Sequence, residues 1–257
     1  MSDKVIVITG ASSGIGEALA RRLGRQGHAL VLAARGGDKL QSVARDCGDR
    51  AVAVPTDVTR RPDVERLRDE AIAAFGHVDF WVYNAGRGIN RRVLELTDED
   101  IDEMMLINTK SALYGMQTIV PHFMSRGKGH LINVSTVLSR VPAATFRSAY
   151  SASKAALNVL TANLRLDLQK EYPDIHVSVV LPGGVPTAFQ NSSLGGTPAF
   201  NPPLKGATAQ TAEDVAAIIA GVVESPVAEV YSSPVLRDLA RRYHEDVESF
   251  ERATTSH

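Results

Sequence analysis

Tyr150 and Lys154 stand four residues apart in the run Tyr150-Ser151-Ala152-Ser153-Lys154, so on a helix a phenol and an ammonium leave the same face. A phenol, with an ordinary pKa near 10, exchanges its proton more readily at neutral pH when a neighbouring cation favours the phenolate. That pairing suits a carbonyl that becomes an alkoxide on accepting a hydride, or an alcohol oxidised in the opposite direction. A second chemical run, Thr9-Gly10-Ala11-Ser12-Ser13-Gly14-Ile15-Gly16, follows the apolar stretch Val5-Ile6-Val7-Ile8. Glycines at a strand-to-helix turn let the backbone approach a pyrophosphate, and the helix N-terminus supplies amide donors and positive potential. Gly10, Gly14 and Gly16 are spaced G-x-x-x-G-x-G, not G-x-G-x-x-G. A tight corner alone would explain the glycines; their place after the first strand and at the opening of the first helix marks a phosphate cradle.

The second strand ends Leu32-Ala33-Ala34-Arg35. An acidic residue there would accept the hydroxyls of an adenosine ribose, whereas an uncharged Ala34 followed by the Arg35 guanidinium suits a 2′-phosphate. The expected cofactor is therefore NADP (NADPH). NAD is the alternative, with Arg35 only a solvated charge. Asp57-Val58 after the third strand and Asn84-Ala85-Gly86 after the fourth fall on the same carboxyl edge, where ligands bind in open α/β sheets.

Positioning these groups requires regular alternation of strand and helix, and the chain supplies it. Strands are expected at 4–9, 29–34, 51–55, 79–84, 130–135, 176–181 and 228–232, as continuous apolar runs that fit parallel strands buried on both faces. Helices are expected at 16–26, 38–46, 61–75, 98–125, 148–171 and 213–224. Thr97 with Asp100, and Thr211 with Asp214, form helix starts with a hydroxyl followed three residues on by a carboxylate. The pattern predicts one α/β domain over 1–257, a Rossmann-type doubly wound fold with a seven-stranded parallel sheet and helices on both faces. Residues 182–210, rich in proline and glycine, break the rhythm and read as a substrate-binding loop. Residues 234–252 read as a charged amphipathic C-terminal helix covering a sheet edge or a partner.

Bulk composition narrows the class. The chain has 257 residues, 44% hydrophobic and 22% charged, with a net charge of −1, so nothing electrostatic points to nucleic acid or an anionic membrane. One cysteine, Cys47, excludes an internal disulfide framework and fits a reducing, cytoplasmic setting. No apolar stretch reaches membrane-spanning length. The 7 histidines show no metal-ligand spacing, and no metal is expected. Arg60-Arg61, Arg91-Arg92 and Arg241-Arg242 read as solvated charges, with Arg91-Arg92 nearest to a pocket rim. Met104-Met105 reads as helix packing.

Taken together, the ordered motifs resemble the short-chain dehydrogenase/reductase family over nearly the whole chain. Thr9–Gly16 is similar to its glycine motif, Asn84-Ala85-Gly86 to its N-A-G, Tyr150/Lys154 to its Y-x-x-x-K, and Pro182-Gly183-Gly184-Val185-Pro186-Thr187 to its P-G-x-V-x-T. The resemblance implies cofactor contacts from Gly10, Ser12, Ser13, Gly14, Ile15, Gly16, Arg35, Asp57, Val58, Asn84, Ala85, Gly86, Tyr150, Lys154, Pro182, Gly183, Val185 and Thr187. Thr187 and the Val185 backbone would hold the nicotinamide carboxamide, and Lys154 the nicotinamide ribose. It implies that Asn108, in Leu106-Ile107-Asn108-Thr109, fixes a water that links Lys154 to solvent. It also implies a small-molecule carbonyl or secondary alcohol as substrate, and a homo-oligomer.

Two positions depart from the pattern. Tyr83 replaces the first asparagine of the common N-N-A-G. In Ile132-Asn133-Val134-Ser135-Thr136 the register puts Thr136, rather than Ser135, at the family's substrate-orienting serine, and that assignment needs one inserted residue in the 139–147 loop. Leu138, Val141, Ala144, Phe146, Phe189 and Leu194 fall in segments that line the pocket in relatives, giving a mainly apolar wall. The leading expectation is an NADP(H)-dependent carbonyl reductase or alcohol dehydrogenase. A nucleotide sensor without turnover is the alternative from another class, and Asn108, Tyr150 and Lys154 argue against it.

Overall fold

The computed structural model describes residues 3–187, 189, 193–196 and 208–255. Seven strands form one parallel sheet: β1 (Val5–Thr9), β2 (Ala29–Ala34), β3 (Ala51–Pro55), β4 (Phe80–Tyr83), β5 (Gly129–Val134), β6 (Ile175–Leu181) and β7 (Glu229–Tyr231). Their order is β3-β2-β1-β4-β5-β6-β7, so the connectivity reverses direction between β1 and β4. Ile6 of β1 lies opposite Leu30 on one side and Phe80 on the other, which fixes the register at this switch point. Crevices at the carboxyl ends of strands beside such a point are where open α/β sheets bind ligands.

Strand alternation distributes the core over both faces of the sheet. Ile6, Ile8, Leu30, Leu32 and Val180 pack under α1 (Gly14–Arg25), α2 (Gly37–Asp46) and α7 (Ala212–Glu224), contributing with Leu19, Leu40 and Ile219 to one cluster. Val7, Val31, Trp81, Leu131 and Val177 turn to the other face. There they meet Leu67 of α3 (Arg61–Phe75), Phe123 of α5 (Ser111–Arg126) and Leu157 of α6 (Ser148–Gln169). Most residues of the central strands thus carry apolar side chains, which is why the runs read as continuous rather than alternating.

Both expected helix starts form. Asp100 N–H donates to Thr97 Oγ1 at 3.3 Å at the head of α4 (Asp98–Met105), and Asp214 N–H donates to Thr211 Oγ1 at 3.1 Å at the head of α7. The long helical pattern expected over 98–125 is not one helix. A π-helical turn at Leu106–Lys110 separates α4 from α5, and one extra residue per turn shifts the face that Asn108 presents. The first helix begins at Gly14, two residues earlier than the apolar period indicated. The C-terminal segment expected as one helix breaks at Asp246 into α8 (Pro234–Glu245) and α9 (Val247–Thr255). Much of the 182–210 loop, including 188, 190–192 and 197–207, lies outside the described residues.

Candidate active site

A cavity of about 1690 Å³ runs along the carboxyl edge of the sheet, from Arg35 at one end to the C-terminal helices at the other. Ordinary small-molecule pockets occupy about 300–1,000 Å³, so this one has room for a dinucleotide and a second ligand. Its first half is the β1–α1 turn. Gly10 and Gly14 adopt φ of +67° and +56°, a left-handed conformation that side chains resist. Gly16 carries a different constraint: a Cβ there would collide with the Gly10 carbonyl oxygen. Asn84 holds this turn, its Nδ2 donating to Thr9 O at 3.2 Å and Gly10 O at 3.3 Å. Thr9 Oγ1 in turn accepts from the backbone of Asn84 and Ala85, both at 3.1 Å. The turn therefore presents Ser12, Ser13, Gly14 and Ile15 to the cavity with the N-terminus of α1 behind them. Arg35 and Lys39 line the same end. Amide donors at a helix N-terminus, a turn cleared of side chains and two nearby cations fit the phosphates of a dinucleotide.

Asp57, Val58, Asn84, Ala85 and Gly86 line the middle of the cavity, with Pro182, Gly183, Val185 and Thr187 facing them. Asp57 Oδ1 accepts from both the amide and the hydroxyl of Thr59, at 3.0 and 2.7 Å. Thr187 lies over Gly14, where an added Cβ would stand 3.2 Å from the threonine side chain.

The second half gathers the groups that could move a proton. Tyr150, in the first turn of α6, is buried, and the burial raises its phenol to about 12. Two neighbours pull that value back: the positive charge of Arg147 and a hydrogen bond with the Thr136 side chain. Lys154 lies one turn further along the helix, where Nζ donates to Val134 O at 2.9 Å. Burial lowers its ammonium to about 7. Arg147, three residues before Tyr150, is a further cation acting on the phenol.

Thr136 and Ser135 both line the cavity but point differently. Thr136 Oγ1 accepts the Leu138 amide at 3.3 Å and meets Tyr150. Ser135 Oγ turns toward Ser139 Oγ at 3.3 Å and Lys154 O at 3.4 Å.

Asn108 and Gly16 do not reach the cavity wall among the described residues. Asn108 is fully buried one layer behind it, in the π-turn. Its amide closes on Arg87, Oδ1 accepting from the backbone N–H and Nδ2 donating to the carbonyl, both at 3.0 Å. Nδ2 also donates to Ser153 Oγ at 3.1 Å, tying α6 to the loop after β4. Gly86 makes this approach possible: a Cβ there would stand 2.9 Å from Asn108 Oδ1 and 3.5 Å from Lys154 Nζ. π-Turns inside α-helices are frequent at functional sites.

Of the expected apolar wall, Leu138, Ala144, Phe146 and Phe189 line the cavity. Val141 does not; it is buried against Leu239 and Ala240 of α8. Leu194 also packs elsewhere, bridging to Ile89. Arg91 is held by Asp100 at 2.7 Å and stays off the rim, while Arg242, read from sequence as solvated, lines the cavity with Leu239, Phe250 and Ala253. Arg147 was missed altogether, since a lone arginine at the head of a helix is ordinarily solvated. Among the described residues no cluster of histidine, cysteine, aspartate and glutamate could hold a metal, and no helix is long and apolar enough to cross a membrane.

Comparison with known proteins agrees with this fold. Residues 4–195 match the family described as short chain dehydrogenase. An oxidoreductase of Staphylococcus aureus (strain N315) is 36% identical over 203 residues, covering 79% of this chain and 84% of the relative. Among solved structures, a short chain dehydrogenase/reductase from Burkholderia phymatum in complex with NAD superposes with a TM-score of 0.85 at 26% identity, over 96% of this chain and 95% of that one. An alcohol dehydrogenase from the archaeon Thermococcus sibiricus, complexed with 5-hydroxy-NADP, gives 0.77 at 29% identity, over 90% and 96%.

Proposed function

The chain belongs to the short-chain dehydrogenase family of oxidoreductases, and we propose that it transfers a hydride between NADP(H) and a ketone or secondary alcohol, with Tyr150 as general acid and base. The observation that carries the reading is the meeting of the Tyr150 phenol with the Thr136 hydroxyl on the wall of a cavity whose other half is the glycine turn. A nicotinamide dinucleotide bound along that cavity supplies or accepts the hydride. The protein's own groups position the reactants and handle the proton.

For reduction, Thr136 Oγ1 and Tyr150 Oη together hold the carbonyl oxygen, and Tyr150 gives up its proton as charge develops there. Burial keeps the phenol protonated at neutral pH, so the donor is loaded before substrate arrives. Lys154, one turn further along the same face, would hold the nicotinamide ribose. Asn108 acts from behind, keeping Arg87 and Gly86 in place against Lys154. At the far end, the uncharged Ala34 and the Arg35 guanidinium favour a 2′-phosphate, and therefore NADP(H) over NAD(H). The relatives with solved structures include complexes of both cofactor types.

The substrate is a small molecule held against a mainly apolar wall, with no role for nucleic acid. The reducing-compartment reading of Cys47 supports a cytoplasmic location, and we propose a homo-oligomeric assembly as in the family.

Titrating the protein with NADPH and NADH by nicotinamide fluorescence, then supplying a panel of ketones, tests the reading. Saturable NADPH binding with ketone-dependent loss of NADPH supports it. Tight cofactor binding with no turnover of any ketone would favour a nucleotide sensor.

A further inference from the structure

The substrate half of the cavity contains a buried charge that hydride transfer to a neutral ketone does not require. Arg147, at the N-cap of α6, is only 5% exposed and lines the cavity beside Tyr150. Nη1 donates to Ser193 Oγ at 3.0 Å, and the guanidinium carbon lies 5.6 Å from the centre of the Phe146 ring. Gly88 makes room for it, since a Cβ there would stand 2.5 Å from Nη1.

Among the described residues no carboxylate pairs with this charge. Burial lowers the Arg147 pKa, and the one neighbour that opposes the shift is Tyr150. The segments 135–150 and 182–210 contain no aspartate or glutamate at any position. Among the described residues the cavity wall has one acid, Asp57, and it sits at the nucleotide end. A desolvated cation without a counter-charge is expensive. A neutral donor would tether Ser193 equally well, so the hydrogen bond alone does not explain a guanidinium.

We propose that Arg147 receives an anionic substituent of the substrate, making the substrate class a short oxo acid, or the matching hydroxy acid, with a single carboxylate. The inference rests on the oxidoreductase reading of the same site. One guanidinium balances one negative charge, and the apolar side chains Leu138, Ala144, Phe146 and Phe189 that share this wall suit a small monoanion better than a dianion. Residues three apart on a helix have Cβ atoms about 5–6 Å from each other, so the carboxylate lies a few bonds from the carbonyl that Tyr150 serves. Reduction adds a hydride from the reduced nicotinamide to the carbonyl carbon and the Tyr150 proton to its oxygen. The C=O π bond is consumed, and the carboxylate emerges unchanged.

The test compares acids with their own esters: levulinate against methyl levulinate, and acetoacetate against ethyl acetoacetate, each with NADPH. The native enzyme is expected to prefer an acid to its ester in kcat/KM by about ten- to a hundredfold, the range of a charged hydrogen bond. Arg147→Gln should bring that ratio close to one, mainly through KM of the acid, and Arg147→Lys should retain part of the preference. Turnover of esters with no preference for either acid in the native enzyme would overturn the inference and leave the oxidoreductase reading standing. Equal loss on acid and ester in Arg147→Gln, expressed in kcat with a displaced pH profile, would also overturn it, because the guanidinium would then serve Tyr150 alone. Absence of turnover with every carbonyl and either cofactor would remove the oxidoreductase reading, and the inference with it.

Discussion

The phenol of Tyr83 donates a hydrogen bond to the carbonyl of Ile107 at 2.9 Å, joining the end of β4 to the π-turn that carries Asn108. Ser111 Oγ donates to the same carbonyl at 2.6 Å and also touches the Tyr83 hydroxyl. The Ile107 carbonyl in the wide turn thus accepts from two side chains. Tyr83, a departure from the usual N-N-A-G, does more than repack its strand: it braces the turn from below. Replacing Tyr83 with Phe removes one bond while Ser111 keeps the carbonyl partnered, so the stability loss should be about 1 kcal/mol. Turnover should fall several-fold with cofactor affinity unchanged. Chemical denaturation and steady-state kinetics on the variant check both numbers.

Arg35 sets the cofactor preference in this account. Arg35→Ala should weaken NADPH binding by about ten- to a hundredfold and leave NADH binding nearly unchanged. Fluorescence titration of both cofactors against both proteins measures this directly. An equal effect on the two would return Arg35 to the role of a surface charge.

The buried ammonium of Lys154 has a cost that depends on pH. Its pKa falls from 10.5 to about 7 in the folded chain because burial disfavours the charged form. Between those values the unfolded chain holds more protons than the folded one, so stability rises with pH across the window. Below the lower value both states are protonated and the full penalty applies. Lys154→Met should therefore melt higher than the native protein at and below neutral pH, and that gain should shrink as pH climbs toward 10.5. It should also lose turnover and bind cofactor more weakly. Melting curves across this range test the sign; a gap independent of pH would contradict it.

Much of this architecture was legible in the chain because both faces of the sheet are covered. Continuous apolar strands and capped helices leave few alternatives, and α3 and β2 begin and end where their patterns do. The π-turn was not legible, since Leu106–Lys110 has no glycine or proline to mark a break and a one-residue bulge leaves the apolar period almost intact. The break at Asp246 was hidden in the same way by polar residues on both sides. Within the site, the glycine turn and Tyr150 announced themselves by type and spacing. Arg147 did not, because a lone arginine before a helix is ordinarily solvated, and only tertiary packing against Gly88 and Ser193 buries it.

Thr136 and Ser135 are neighbours with different tasks in the proposed site. Thr136 Oγ1 meets Tyr150, while Ser135 Oγ faces Ser139 and the backbone of Lys154. Thr136→Val, which keeps the shape and removes the hydroxyl, should lower kcat by about a hundredfold, the scale of losing one donor to a developing oxyanion. Ser135→Ala should cost far less. If Ser135→Ala proved the more damaging of the two at matched stability, the substrate-orienting hydroxyl would be Ser135.

Tyr150→Phe tests the central claim most directly, because it deletes the transferable proton and keeps the ring that packs 5.6 Å from Phe189. The measurement is ketone-dependent NADPH oxidation by the variant, paired with its NADPH dissociation constant. The account predicts a fall in kcat of at least about a hundredfold with cofactor affinity little changed. A variant that turned over at a rate close to the native one would show that the proton comes from elsewhere.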